Sequence, residues 1–147
     1  MNGQLKFFES LPRQTPFAPQ WNYFIAESDI ENVDFNEIAR IVLSKEKDII
    51  QKYPSGQINV DAYTGLGENS LTARSAEYNL LQWDETAYIK NVIRESYNEL
   101  MKELDQPAEE EIYSQCWANV LRKGQKIDRH VHVVNDYTYL GGHICIQ

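Results

Sequence analysis

The spacing of hydrophobic residues predicts a helix in the first half of the chain. Asp34 and Glu37 form a capping pattern, and Val33 with Ile38 fits the hydrophobic staple that often flanks it. Pro54, followed by Ser and Gly, provides a stop. Between these signals, apolar residues recur near helical spacing at Ile38, Ile41, Val42, Ile49 and Ile50. We therefore expect a helix that begins after Asp34 and ends before Pro54.

A second helical pattern follows, with Asp84 as its expected N-cap and Pro107 beyond its end. Its apolar face advances in steps of three and four residues through Ile89, Ile93, Tyr97, Leu100 and Leu104. The acidic run 109–111 that follows is expected to be a solvated connection, because like charges repel each other.

Strand-like segments occupy both ends of the sequence. Residues 5–8 and 21–26 are interpreted as strands in the N-terminal part, 1–107, which also holds both helices. In the C-terminal part, residues 112–121 alternate with a period of two, and two further strand-like runs follow at 127–134 and 139–146. The order predicts one domain over 1–147 of the α+β class, with helices packed on an antiparallel sheet.

Composition and charge limit the classes of function and partner that fit the sequence. The chain has 147 residues, is 42% hydrophobic and carries a formal net charge of −8. This charge argues against nucleic acid as a partner, since backbone binders need clustered Lys and Arg. Neither a membrane span nor a signal peptide is recognisable, so a cytoplasmic protein is expected. Cys116 and Cys145 are expected to be reduced and mostly buried.

The histidines are the main candidates for chemistry. All three lie in the last 18 residues, at His130, His132 and His143. On a strand, His130 and His132 would share one face roughly 6–7 Å apart, a geometry that suits metal ions. Two half-exposed surface histidines explain the same pattern equally well. His143 and either Asp136 or Asp128 would be further candidate ligands, although each also fits a packing or turn role.

Several motifs occur in an order typical of one enzyme family. The chain resembles the 2-oxoglutarate/Fe(II)-dependent oxygenases frequent in marine bacteria and their phages, in which a Trp-x-Asn strand, a Lys-Gly turn, a His-x-His and a Ser-Gly strand follow one another. Here the corresponding segments are 117–125, 130–132 and 139–145, preceded by a loop at 64–72 and a segment at 78–84.

The resemblance implies a double-stranded β-helix, or jelly roll, that binds Fe(II) and 2-oxoglutarate and hydroxylates an organic substrate. His130 and His132 fall on the iron-binding His-x-His, and Asn119 falls on a strand lining the barrel. Asn119 and an arginine, Arg129 or Arg122, are the expected contacts to 2-oxoglutarate. The family's distal His and cosubstrate-binding basic residue are not found before Gln147, and Gly141 replaces the usual Ser. We therefore expect the front part of a jelly roll.

Two other functions remain open from the sequence. The same scaffold would serve as a non-catalytic structural or interaction protein, for example a virion component, whose C-terminal strand edge pairs with an oligomer or partner chain. Alternatively, His130, His132 and His143 would form a small cupin-like metal site. The substrate leaves no trace in the sequence.

Overall fold

The structure, a computed structural model, describes residues 3–8, 15–18, 23–54, 64–130 and 140–146. The chain divides into two compact units, one formed by Met1–Val33 with Tyr88–Tyr113 and the other by Asp34–Ala87 with Ser114–Gln147. Each unit thus combines two separate stretches of sequence. Neither helix of the described residues is long and apolar enough to cross a membrane.

The first unit contains a two-stranded antiparallel sheet. β1 (Gly3–Phe8) pairs with β2 (Tyr23–Ser28), and Phe8 lies opposite Tyr23 in the register. The two aromatic rings stack with their centroids 5.2 Å apart. Both strands predicted in the N-terminal part are confirmed, with β2 extending two residues further than expected. The aromatic and β-branched residues favour this extended backbone.

The helix of the first unit, α2 (Ile89–Glu103), begins later than predicted. The expected N-cap, Asp84, is wrong: it lies in the 3₁₀ turn Asp84–Thr86. The hydroxyl of the buried Thr86 donates to the carbonyl of Leu80 at 2.5 Å, and its N–H donates to the carbonyl of Trp83 at 3.1 Å. These two bonds hold residues 84–86 in a 3₁₀ turn, which is tighter than a turn of α-helix. The α-helical hydrogen bonds therefore begin only after this turn.

The predicted apolar face of α2 is confirmed at Ile89 and Tyr97, which are buried, and it continues to the buried Met101. The helix ends in a Schellman motif, in which the N–H of Gln106 donates to the carbonyl of Met101 and that of Asp105 to Lys102. Asp105 has φ +52° in the position that usually holds glycine. Residues 109–111 are exposed, as expected.

The second unit contains α1 (Phe35–Lys52), whose predicted start is confirmed. The Asp34 side chain accepts a hydrogen bond from the N–H of Glu37 at 3.0 Å, which satisfies one of the unpaired donors of the first turn. The helix ends one residue before Tyr53, whose N–H donates to Ile49. Buried apolar residues of this unit come from the helix and from the segment after it: Ile38, Ile41, Val42, Ile49, Leu71, Tyr78, Leu80 and Leu81.

Residues 112–121, predicted as a strand, are described by the structure and form no strand. Side chains bind much of their backbone instead. The Asn79 side chain donates to the carbonyl of Ser114 at 2.8 Å and accepts from the N–H of Cys116 at 3.2 Å. The Tyr78 hydroxyl accepts from the N–H of Ala118 at 3.0 Å. The jelly roll therefore stays a prediction.

Candidate metal site at His130

The site begins at a glycine turn. Gly65 has φ +76° and Gly67 φ +82°, conformations that glycine adopts at low cost. Thr64, just before the turn, is 1% exposed, and its carbonyl accepts a hydrogen bond from the N–H of Asp128 at 2.7 Å. A Cβ on Gly65 would lie only 2.5 Å from Oδ2 of Asp128. A side chain at position 65 would therefore require the Asp128 side chain to move, and it would also be strained by the positive φ.

The backbone of Asp128 also orients the ring of His130. Nδ1 of His130 lies 2.8 Å from the carbonyl oxygen of Asp128. A carbonyl oxygen can only accept, so Nδ1 carries the proton and donates it. In the neutral ring this leaves the lone pair on Nε2. Metal-binding histidines are commonly held in this way, by a hydrogen bond from the second ring nitrogen to a carbonyl or carboxylate.

The carboxylate of Asp128 lies beside the glycine turn and one lysine. Its Oδ1 lies 3.3 Å from Nζ of Lys126, in an ion pair whose side chains are 52% and 86% exposed. Such an exposed pair contributes little to stability. Asp128 therefore acts on His130 through its main chain, and its side chain contacts the glycine turn and a solvent-exposed lysine.

The predicted cosubstrate residues differ in their surroundings. Oδ1 of the half-buried Asn119 accepts a hydrogen bond of 2.6 Å from the hydroxyl of Thr72, which is 2% exposed. This hydrogen bond orients the side-chain amide of Asn119 and involves only the amide oxygen. Arg129 is exposed and precedes His130 directly. Arg122, the other candidate cation, binds Glu46 at 2.6 Å, and this hydrogen bond raises the pKa of its guanidinium.

The remaining predicted ligands are not assembled around His130 in the described part of the chain. His143 is exposed, and His132 and Asp136 lie outside the described residues. Within 3–8, 15–18, 23–54, 64–130 and 140–146, no group of three His, Cys, Asp or Glu side chains could hold a metal ion.

The two cysteines differ from each other. Both are free thiols; Cys116 is half-buried, which raises the pKa of its thiol. Cys145 is exposed, so the expectation of burial is wrong there. Its neighbours Ile144 and Ile146 are also exposed, at 36% and 37%, and the segment offers no apolar cover for the thiol.

Comparison with known proteins identifies no relative: no protein-family model, curated protein or solved structure matches the chain. The interpretation of the site therefore depends on its own residues. Sequence reasoning missed the supporting role of Thr64 and Thr72, although the paired glycines at 65 and 67 did indicate a turn. The approach of this turn to Asp128 joins residues far apart in sequence, and no local pattern signals it.

Proposed function

We propose that the chain is an iron-binding part of a 2-oxoglutarate/Fe(II)-dependent oxygenase, with Nε2 of His130 as a ligand. The observation that carries this proposal is the 2.8 Å hydrogen bond between Nδ1 of His130 and the Asp128 carbonyl. It selects the tautomer in which Nε2 has the lone pair that a metal ion needs. His132 would supply the second imidazole, and Asp136 and His143 are the remaining candidate donors.

The chain's own residues then have distinct tasks. The Thr64 carbonyl and the glycine turn hold the backbone of Asp128, and Asp128 in turn orients the imidazole of His130. Arg129 would pair with a carboxylate of the cosubstrate, and the Nδ2 amino group of Asn119 would donate to it. Fe(II) bound by histidines would supply open coordination positions for a bidentate 2-oxoacid and O₂.

Anaerobic titration of the full chain with Fe(II), followed by 2-oxoglutarate, tests the proposal. We expect saturable metal binding, a rise in melting temperature with metal concentration, and a weak charge-transfer band when the oxoacid is added. His130→Ala should weaken metal binding more than about tenfold. Asp128→Asn is the matched control: it keeps the main-chain carbonyl that orients His130 and should leave the metal affinity unchanged.

Three results would contradict parts of this scheme. Equal metal affinity of His130→Ala and the unchanged chain would exclude His130 as a ligand. Loss of binding in Asp128→Asn would make the carboxylate, rather than the carbonyl, the important group. Strong metal binding without any band or 2-oxoglutarate turnover would favour the cupin-like metal-binding protein.

A second candidate function is an interaction module, and exposed aromatic residues on the β1–β2 sheet favour it. Phe7 is 68% exposed, Tyr23 50% and Ile25 47%. An exposed two-stranded sheet also presents unpaired edge groups to other chains. Concentration-dependent assembly that is insensitive to chelators, measured by light scattering, would support this function. A monomer at all concentrations would argue against self-assembly through this sheet.

A further inference from the structure

A groove in the second unit is formed by the C-terminal part of α1 and the turn that contains Trp83. Its volume is about 220 Å³. At ~30 Å³ per water molecule, it holds about seven waters and is smaller than a typical drug-binding pocket. It therefore suits a small ligand. Its walls include Asp48, Ile49, Lys52, Tyr53, Tyr78 and Trp83.

One side of the groove is aromatic. The rings of Tyr78 and Trp83 stack with centroids 5.9 Å apart and an interplanar angle of 17°. Tyr78 is buried and Trp83 is half-buried. The stacked pair therefore forms one wall of the groove, with part of the indole exposed to solvent. Ile49, 8% exposed, adds an aliphatic surface. Planar apolar groups gain both buried area and favourable ring geometry on such a wall.

The groove also carries charges of both signs. Lys45 lies 5.3 Å from the Trp83 ring centre, but it is already paired with Glu85 at 2.9 Å. Asp48 and Lys52 lie one turn apart on the same face of α1, and within the described residues neither side chain forms an ion pair. Nζ of Lys52 lies 4.9 Å from the ring centre of Tyr53. The groove therefore offers one carboxylate and one ammonium to a ligand.

Asp48 and Lys52 both lie in the C-terminal part of α1. Lys52 is the last residue of the helix and lies nearest to its final carbonyls, whose partial negative charge it complements, and Asp48 lies one turn before it. Asp48 can pair with a cation, and Lys52 can pair with an anion. A ligand with an ammonium, a carboxylate and a flat apolar group would match all three features. A ligand lacking any one of them would leave a feature unused.

We propose that this groove binds a free α-amino acid with an aromatic side chain. The carboxylate pairs with Lys52, the ammonium pairs with Asp48 one turn before it, and the ring lies on the wall formed by Tyr78 and Trp83. This site is separate in its residues from the candidate metal site and does not depend on it. It needs neither iron nor 2-oxoglutarate.

Isothermal titration of the full chain with L-phenylalanine, in the presence of a chelator, tests the site. We expect saturable binding with a Kd below about 1 mM. Lys52→Gln and Asp48→Asn should each weaken binding about tenfold, because each removes one charged hydrogen-bonding partner. Lys47→Gln is the matched control: Lys47 is an exposed residue of α1 outside the groove walls, and its variant should bind as the unchanged chain does.

Ligand analogues separate the three features. Phenethylamine lacks the carboxylate, 3-phenylpropionate lacks the ammonium and glycine lacks the ring, so each should bind at least about tenfold more weakly than L-phenylalanine. Equal binding of 3-phenylpropionate would refute the role of Asp48. The absence of saturable L-phenylalanine binding to the folded chain, or equal losses in Lys47→Gln and Lys52→Gln, would overturn the proposal. Circular dichroism of each variant verifies that it is folded.

Discussion

Asn79 offers the sharpest test of how the second unit is held together. Its Nδ2 donates to the carbonyl of Ser114 at 2.8 Å, and its Oδ1 accepts from the N–H groups of Leu81 at 3.0 Å and Cys116 at 3.2 Å. One side chain therefore satisfies three main-chain groups, two of them more than thirty residues away. Truncation would leave all three groups to find other partners.

The size of the effect follows from these bonds. At about 1 kcal/mol for each hydrogen bond, Asn79→Ala should lower the free energy of unfolding by about 3 kcal/mol. Asn79→Asp keeps both accepting bonds but places a carboxylate oxygen against the Ser114 carbonyl, so we expect a loss of about 2 kcal/mol at neutral pH.

Urea unfolding followed by circular dichroism measures these changes, with Asn98→Ala, an exposed position on α2, as the control. The control should change stability by less than about 0.5 kcal/mol. Hydrogen exchange should also quicken at the amides of Cys116 and Leu81 in Asn79→Ala. A loss below about 1 kcal/mol, or a more stable Asn79→Asp variant at neutral pH, would refute the role assigned to Asn79.

Three further predictions concern stability. Burial raises the pKa of Tyr78 from 10.0 to about 12. The folded state therefore holds this proton more tightly than the unfolded state, and stability should fall as the pH rises across that interval; Tyr78→Phe, followed by alkaline urea unfolding, should remove this slope. Asp105→Gly relieves the positive φ at the end of α2 and should raise stability by about 0.5–1 kcal/mol, seen as a higher melting temperature; an unchanged value would contradict the strain. Gly65→Ala should destabilise more than Gly67→Ala in thermal unfolding, because only the first places a methyl group against Asp128. Equal losses would mean that the Asp128 side chain moves away without cost.

Short-range sequence patterns predict the helices and strands that are determined by residues close together in the sequence. The Asp34 cap and the apolar spacing after it identified α1, and the aromatic segments identified β1 and β2. The predicted start of α2 is wrong because the Thr86 hydroxyl donates to a carbonyl six residues earlier. This bond favours a 3₁₀ turn over an α-helix, and the spacing of apolar residues does not reveal it. Residues 112–121 alternate as a strand would, but the side chains of Asn79 and Tyr78 bind three of their main-chain groups, and among the described residues the one main-chain partner is the N–H of Leu80, which donates to Cys116.

The candidate site was predictable to a similar extent. The His-x-His pattern indicated His130, whereas the carbonyl that orients its ring became visible only in the structure. The bond between Asn119 and Thr72 spans 47 residues and leaves no local pattern. The amino-acid groove was not predicted either, because Asp48 and Lys52 look like ordinary solvated charges on an amphipathic helix.

The division of the chain into two units has a consequence for its biosynthesis. Each unit needs residues from two stretches, so neither exists as one contiguous fragment that could be expressed alone. On the ribosome, the β1–β2 hairpin emerges early, but its unit is complete only after Tyr113, and the other unit waits for residues beyond it. Closing the intervening 34–87 segment costs about 3.5 kcal/mol by the logarithmic scaling of loop entropy. Assembly of the first unit therefore has to wait for the synthesis of Tyr88–Tyr113, and assembly of the second for that of Ser114–Gln147.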